Sequence, residues 1–197
     1  ALPQKQKDLG LEIKQSNLCS EITLPTNEER TAVCCLSSVN LEHFDKWSKN
    51  EQFIDDLITM LDNVIQHFID NAIDTTQLGE YNANFKRFKK YIKEGKEGFT
   101  RAAYSAYRER SLGLGAMGFH AYLQQNEIPF EGIFASGFNH KVFQHIKVRA
   151  TEASSRLAEE RGEAPDIGGS GMRNAHLLAV APNASSSIIC GGTSPSI

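Results

Sequence analysis

Between residues 51 and 74 the chain repeats apolar side chains at three- and four-residue intervals: Phe53, Ile54, Leu57, Ile58, Leu61, Val64, Ile65, Phe68 and Ile69. That period is the mark of a helix with one long apolar face, and the polar Asp55, Asp56, Asp62, Asn63 and Asp70 fall largely elsewhere. Such a face must be covered by a second layer. The apolar runs at 32–36, 112–114 and 175–181 are too short for helices and read as buried strands. Further helices are expected over 116–126 and over 138–161, where Val142, Phe143, Ile146, Ala150, Ala153 and Leu157 share a side and Gly162 stops the run. Strands alternating with helices make the fold class α/β.

The remaining stretches are read more coarsely. Residues 1–10 are polar and expected as loop, 13–24 as a loop with extended character, and 25–31 as a charged turn. Residues 43–50 read as polar linker around Trp47, and 102–109 as helix or loop. A basic helix is expected over 85–96, its lysines and arginine a solvated face opposite Phe85, Phe88, Tyr91 and Ile92. Residues 166–171 form a glycine-rich flexible loop, and Ser185-Ser186-Ser187 is placed to cap a last helix from Ile188. There are no internal repeats.

Composition excludes several classes of function. The 197 residues are 40% hydrophobic and 23% charged, the balance of a globular domain with a sizeable core. A net charge of −3 gives no sign of nucleic-acid binding, and no apolar run approaches the ~20 residues of a membrane span. Four cysteines and a polar start argue against a disulfide scaffold and for a reducing, cytoplasmic setting. A Cys-x-x-Cys pair is absent and no His pair has zinc spacing, so no metal site is expected. The chain begins at Ala1 and stops at Ser194-Pro195-Ser196-Ile197, and reads as truncated at both ends.

The chemistry gathers in three places. Ser16-Asn17-Leu18-Cys19-Ser20-Glu21-Ile22 sets an amide, a thiol and a carboxylate at alternate positions. In an extended backbone Asn17, Cys19 and Glu21 share one side and Leu18, Ser20 and Ile22 the other. A neighbouring carboxylate raises a thiol's pKa, so this pattern suits a thiol reacting as neutral S–H, by giving and taking a hydrogen atom. The second place is Cys34-Cys35: neighbours on a strand point to opposite faces, so one of the two can look into a site. The third is Pro182-Asn183-Ala184-Ser185-Ser186-Ser187, where backbone N–H groups and hydroxyls after a strand suit an anion. Gly113-x-Gly115-x-x-Gly118 spells a dinucleotide fingerprint, but its lead-in is charged and no apolar strand follows at the right distance; it reads as a tight strand-to-helix turn with close packing.

The wording Lys14-Gln15-Ser16-Asn17-Leu18-Cys19-Ser20-Glu21-Ile22-Thr23-Leu24-Pro25 resembles the finger loop of ribonucleotide reductase large (α) subunits, class I in particular. Arg110-Ser111-Leu112-Gly113-Leu114-Gly115 and Arg173-Asn174-Ala175-His176-Leu177-Leu178-Ala179-Val180-Ala181-Pro182 resemble two further segments of that family, in the family's order. The resemblance implies a fragment of a ten-stranded α/β barrel with an inserted finger loop. Residues 1–197 would be part of the catalytic barrel domain, with the finger loop at about 13–25 and a phosphate-binding loop at about 182–187.

It further implies reduction of ribonucleoside diphosphates to 2′-deoxyribonucleoside diphosphates by a thiyl radical. Cys19 would take the 3′ hydrogen atom, Glu21 the 3′-hydroxyl proton, Asn17 would orient the ribose hydroxyls, and Cys34 would be one of the reducing pair. Asn17, Leu18, Cys19, Ser20 and Glu21 would line the substrate, and Pro182, Asn183, Ala184, Ser185 and Ser186 its phosphates. Some members carry an acidic residue where this chain has Ala184. The implied partners are a radical-generating, metal-bearing small (β) subunit, a second α subunit in a homodimer, and thioredoxin or glutaredoxin as reductant. ATP and dNTP effectors would bind outside this stretch, as would the second reducing cysteine, the radical-relay tyrosines and the tail cysteines. The alternatives are a cobalamin-dependent reductase, which shares Asn-x-Cys-x-Glu, and a non-catalytic nucleotide-binding fragment.

Overall fold

In the computed structural model, which describes residues 2–72, 88–91 and 99–197, two strands lie in parallel at the centre: β1 (Cys35–Asn40) and β2 (Leu112–Met117). Their register runs from Cys35 opposite Leu112 to Asn40 opposite Met117. All six residues of β2 are buried, as expected of a parallel strand covered on both faces. The strand expected over 32–36 is displaced toward the C-terminus. Only Cys35 and Leu36 of that run join the sheet, and the polar Ser37, Ser38 and Asn40 complete the strand because β2 supplies their backbone partners.

The long helix is α3 (Gln52–Ala72); α1 (Gln4–Asp8) and α2 (Phe44–Trp47) precede it. Ile54, Ile58, Leu61, Ile65 and Ile69 of α3 are buried, whereas Val64, at the edge of the apolar stripe, is half exposed. α3 packs on α4 (Thr100–Glu109), on α6 (Ile133–Arg161) and on both strands. α5 (Phe119–Gln125) follows β2, and α7 (Ala184–Ile189) lies near the C-terminus. Helix α6 begins five residues before the expected 138, because its first turn exposes Ile133 and Phe134 and so lacks the period. The expected basic helix lies mostly outside the described residues; within them, Lys89–Tyr91 forms a 3-10 turn.

Three other expectations are corrected. Residues 1–10 contain α1, not loop alone, and the supposed linker at 43–50 contains α2. Phe44 and Trp47 are buried there, Trp47 Nε1 donates to Asn40 O at 2.9 Å, and their rings pack edge-on. The strand expected over 175–181 reduces to an isolated parallel bridge, Leu114 to Leu178, with Leu178 37% exposed.

One buried cluster fixes how these elements meet. Asp62, fully buried on α3, accepts from Arg110 Nε at 3.0 Å, Arg161 Nη1 at 3.1 Å and Asn174 Nδ2 at 3.1 Å, with Arg173 Nε at 3.4 Å. Burial pushes its carboxyl up, but Arg110 and Arg173 outweigh that and hold it below its ordinary value. Arg110 has a left-handed backbone (φ 45°), so the clamp sits where α4 turns into β2. Among the described residues no helix is long and apolar enough to cross a membrane.

Candidate functional site

The segment Ser16 to Ile22 is a turn, not an extended strand. Ser20 N donates to Asn17 O at 3.1 Å, Ser20 has φ 67°, and Asn17 and Ile22 close the loop twice. Asn17 N donates to Ile22 O at 3.2 Å, and Ile22 N donates to Asn17 Oδ1 at 3.0 Å. The expected alternation of Asn17, Cys19 and Glu21 on one face therefore fails, because the asparagine side chain competes for the backbone and bends it. The turn lifts the tip into solvent: Leu18 is 98% exposed, and Cys19 and Ser20 are exposed too. Leu24 and Pro25 are buried and anchor the C-terminal stem. Glu21 is half-buried, and its Oε2 is shielded from solvent with no hydrogen-bond partner.

Cys34 precedes the first residue of β1, and its sulfur lies 3.1 Å from where a β-carbon on Gly113 would sit. It therefore belongs to the same face as Leu36, whose side chain also covers Gly113, whereas Cys35 packs against the helical core. Cys34 and Cys35 thus face opposite ways, as neighbours on a strand do. Burial, then the charges of Cys35, Glu109 and Glu21, pushes the Cys34 thiol up to about 12. Cys19 itself is exposed to solvent.

The glycines of β2 have a packing reason. A β-carbon on Gly115 would meet the backbone of Ala179 and Val180, which cross directly over it. Leu114 N donates to Leu177 O at 2.8 Å and Ala179 N to Leu114 O at 3.2 Å. Gly118 (φ 78°) forms the turn into α5, where a β-carbon would strike Asn40 Oδ1 and Thr193 Oγ1. This bears out the tight-turn reading of the glycine triplet.

Past Ala181 the chain reaches the C-terminal ends of both strands. The three serines lie inside α7 instead of capping it: the helix starts at Ala184, and Asn183 precedes it without a side-chain cap. Asn183 is buried and donates through Nδ2 to Ala181 O at 2.7 Å and Ala116 O at 3.4 Å, so it fastens the loop to β2. Pro182, Ala184, Ser185 and Ser186 are exposed. A cleft of about 430 Å³ opens here, lined by Leu36, Ser38, Met117, Pro182, Ser186 and Cys190. Ser38, Met117 and Cys190 were not singled out from the sequence; the alternation Cys34, Leu36, Ser38 along β1 was the signal available for Ser38.

Comparison with known proteins bears on this arrangement. The family described as "Ribonucleotide reductase, barrel domain" matches residues 3–170. The ribonucleoside-diphosphate reductase large subunit of Invertebrate iridescent virus 3 is 50% identical over 196 residues, covering 100% of this chain and 28% of the relative. The putative large subunit of Frog virus 3 (isolate Goorha) is 50% identical over 191 residues, 97% of this chain and 30% of the relative. Among solved structures, the Actinobacillus ureae class Id ribonucleotide reductase alpha subunit superposes with a TM-score of 0.83 at 37% identity, over 99% of this chain and 33% of that one. The chain thus spans about a third or less of these relatives' length. None of these similarities lends support to a cobalamin-dependent alternative.

Proposed function

The chain belongs to the ribonucleotide reductase large-subunit family, and from that premise we propose that it forms part of the catalytic barrel domain of an enzyme reducing ribonucleoside diphosphates to 2′-deoxyribonucleoside diphosphates. The finger loop is residues 13–25 and the phosphate loop residues 182–187. The observation that carries the reading is the pairing, on one turn, of an exposed thiol at Cys19 with a shielded, unpartnered carboxylate oxygen at Glu21. An unpaired buried oxygen costs about 1–3 kcal/mol, which a substrate hydroxyl would recover.

Cys19, as a thiyl radical, removes the 3′ hydrogen atom of the ribose, and Glu21 accepts the 3′-hydroxyl proton. Asn17 Oδ1 is committed to Ile22 N–H, so the ribose hydroxyls are oriented by its Nδ2 donors. The 2′-hydroxyl leaves as water, and Cys34 with a second cysteine supplies two electrons and two protons as a disulfide forms between them. A neutral Cys34 is what this step needs, and burial keeps its proton on. The exposed Ser185 and Ser186, with the backbone from Pro182 to Ala184 beside the cleft, take the phosphates.

The radical would come from a metal-bearing small subunit, and thioredoxin or glutaredoxin would restore the dithiol. The large subunit would act as a homodimer under ATP/dNTP control, in the cytoplasm. The test is Cys19→Ser in the full-length large subunit assayed with its small subunit and a dithiol. Product should vanish while nucleotide binding stays within a few fold, since a hydroxyl is near-isosteric but its O–H bond is too strong for reversible hydrogen transfer. Substantial turnover by the variant would refute the radical assignment.

A further inference from the structure

Every described side chain lining the cleft of about 430 Å³ at the C-terminal ends of β1 and β2 is uncharged. A phosphate seated there must therefore be held by hydroxyl and N–H donors. Two of the polar side chains around it are already engaged. Asn183 Nδ2 donates to Ala181 O and Ala116 O, and Ser187 Oγ donates to Ala184 O at 3.1 Å. The hydroxyls of Ser38 and Ser186 make no such bond among the described residues.

Ser38 is half-buried on β1, and strand parity fixes the way it faces. The register sets Leu36 beside Gly113, Ser38 beside Gly115 and Asn40 beside Met117, so these residues share one face. Ser37 also borders the cleft, but it pairs with buried Leu114 and shares the face of Cys35 and Val39, which pack against the helices. The Ser38 face is the one on which Cys34 Sγ lies over Gly113. From the level of Gly113 to that of Gly115 the strands advance about 7 Å, so Ser38 stands about that far along the sheet from the Cys34 sulfur, beside Ser186 in the cleft. A ribose whose 2′ carbon meets Cys34 projects its 5′-phosphate groups over an interval of this size.

We propose that Ser38 is a substrate-binding residue: its hydroxyl donates a hydrogen bond to a phosphate oxygen of the nucleoside diphosphate, opposite the donors of the loop at 182–187. This rests on the reading of the cleft as the seat of the phosphates. Ser186 and the loop hold the phosphates from one wall, and Ser38 holds them from the floor that β1 provides. The diphosphate then lies along the strand whose start carries Cys34, and β1 sets the distance between that thiol and the phosphate end. In a cleft without cations, a hydroxyl bonding an ionised oxygen gives the stronger, charge-assisted kind of hydrogen bond.

The test is protection of Cys190 from iodoacetamide in the full-length large subunit by ADP, CDP, GDP and UDP in turn, read at that residue by mass spectrometry. Cys190 is exposed and lines the same cleft, so its labelling reports occupancy without turnover. Ser38→Ala removes the donor and should raise the half-protecting concentration about 3- to 30-fold, the loss of one hydrogen bond to a charged acceptor in an open cleft. Ser38→Thr, which keeps a hydroxyl, and Ser37→Ala, on the opposite face, should each stay within about twofold of the unmodified protein. An unchanged value in Ser38→Ala would overturn the proposal. So would an equal rise in Ser38→Thr, which reports altered packing, or in Ser37→Ala, which reports the wrong face. Absence of protection by all four diphosphates in the unmodified subunit would instead refute the seating of phosphates in this cleft, and the proposal with it.

Discussion

Gly115→Ala tests how the fold delivers the loop at 182–187. A β-carbon at 115 falls on the carbonyl oxygen of Ala179, 3.1 Å from Val180 Cα and 3.3 Å from Ala179 C. These are backbone atoms, so no side chain can swing aside. Restoring ordinary contact at ~3.5–4 Å requires the crossing segment to lift by on the order of 1 Å. That lift strains the bonds Leu114 N to Leu177 O and Ala179 N to Leu114 O, each worth about 0.5–1.5 kcal/mol net, and overpacking costs about 1–3 kcal/mol. A summed destabilisation of about 2–6 kcal/mol follows.

The same lift moves Pro182 to Ser186 against the cleft, and a misplacement of this size costs up to about 100-fold in kcat/KM. Gly113→Ala is the internal contrast. Its β-carbon meets the flexible end of Leu36, with Ala179 Cβ at 3.0 Å and Cys34 Sγ at 3.1 Å, so side-chain adjustment relieves much of it. Urea unfolding and steady-state kinetics of both variants in the full-length large subunit decide the matter. Gly115→Ala should lose more stability and more kcat/KM than Gly113→Ala. A Gly115→Ala protein with unchanged unfolding midpoint and KM would refute the close-crossing account.

Cys34→Ser should stop multiple-turnover reduction with a dithiol, whereas Cys35→Ser, on the helix-facing side of β1, should cycle and show at most a modest loss of stability; the reverse result in a dithiol-driven assay would reassign the pair. Replacing Ser185 and Ser186 together by Ala should raise KM more than it lowers kcat, by about 1–3 kcal/mol in total, because phosphate contacts are largely uniform binding and backbone donors survive; a pure kcat effect in steady-state kinetics would place these serines in the chemistry instead.

Local periodicity determined a good part of this protein by itself. The apolar stripe of α3 and the central turns of α6 are legible because a helix buries residues three and four apart whatever its partner is. The cysteine choice was half legible: alternation says Cys34 and Cys35 diverge, but which one faces the site depends on where the helices lie. Tertiary structure decided the rest, because the deciding partners are distant in the chain. The polar Ser37, Ser38 and Asn40 become strand only because β2, more than seventy residues on, offers parallel hydrogen bonds. Residues 175–181, apolar enough for a full strand, run beside β2 with a single bridge, Leu114 to Leu178, and their backbone crosses over Gly115. The segment 16–22 bends because Asn17 bonds Ile22, which alternation does not foresee. Glu109 reads in sequence as one charge between two arginines; only the folded chain takes both arginines away to Asp62 and Asp166 and leaves the carboxyl buried on Ser105 and Gln6.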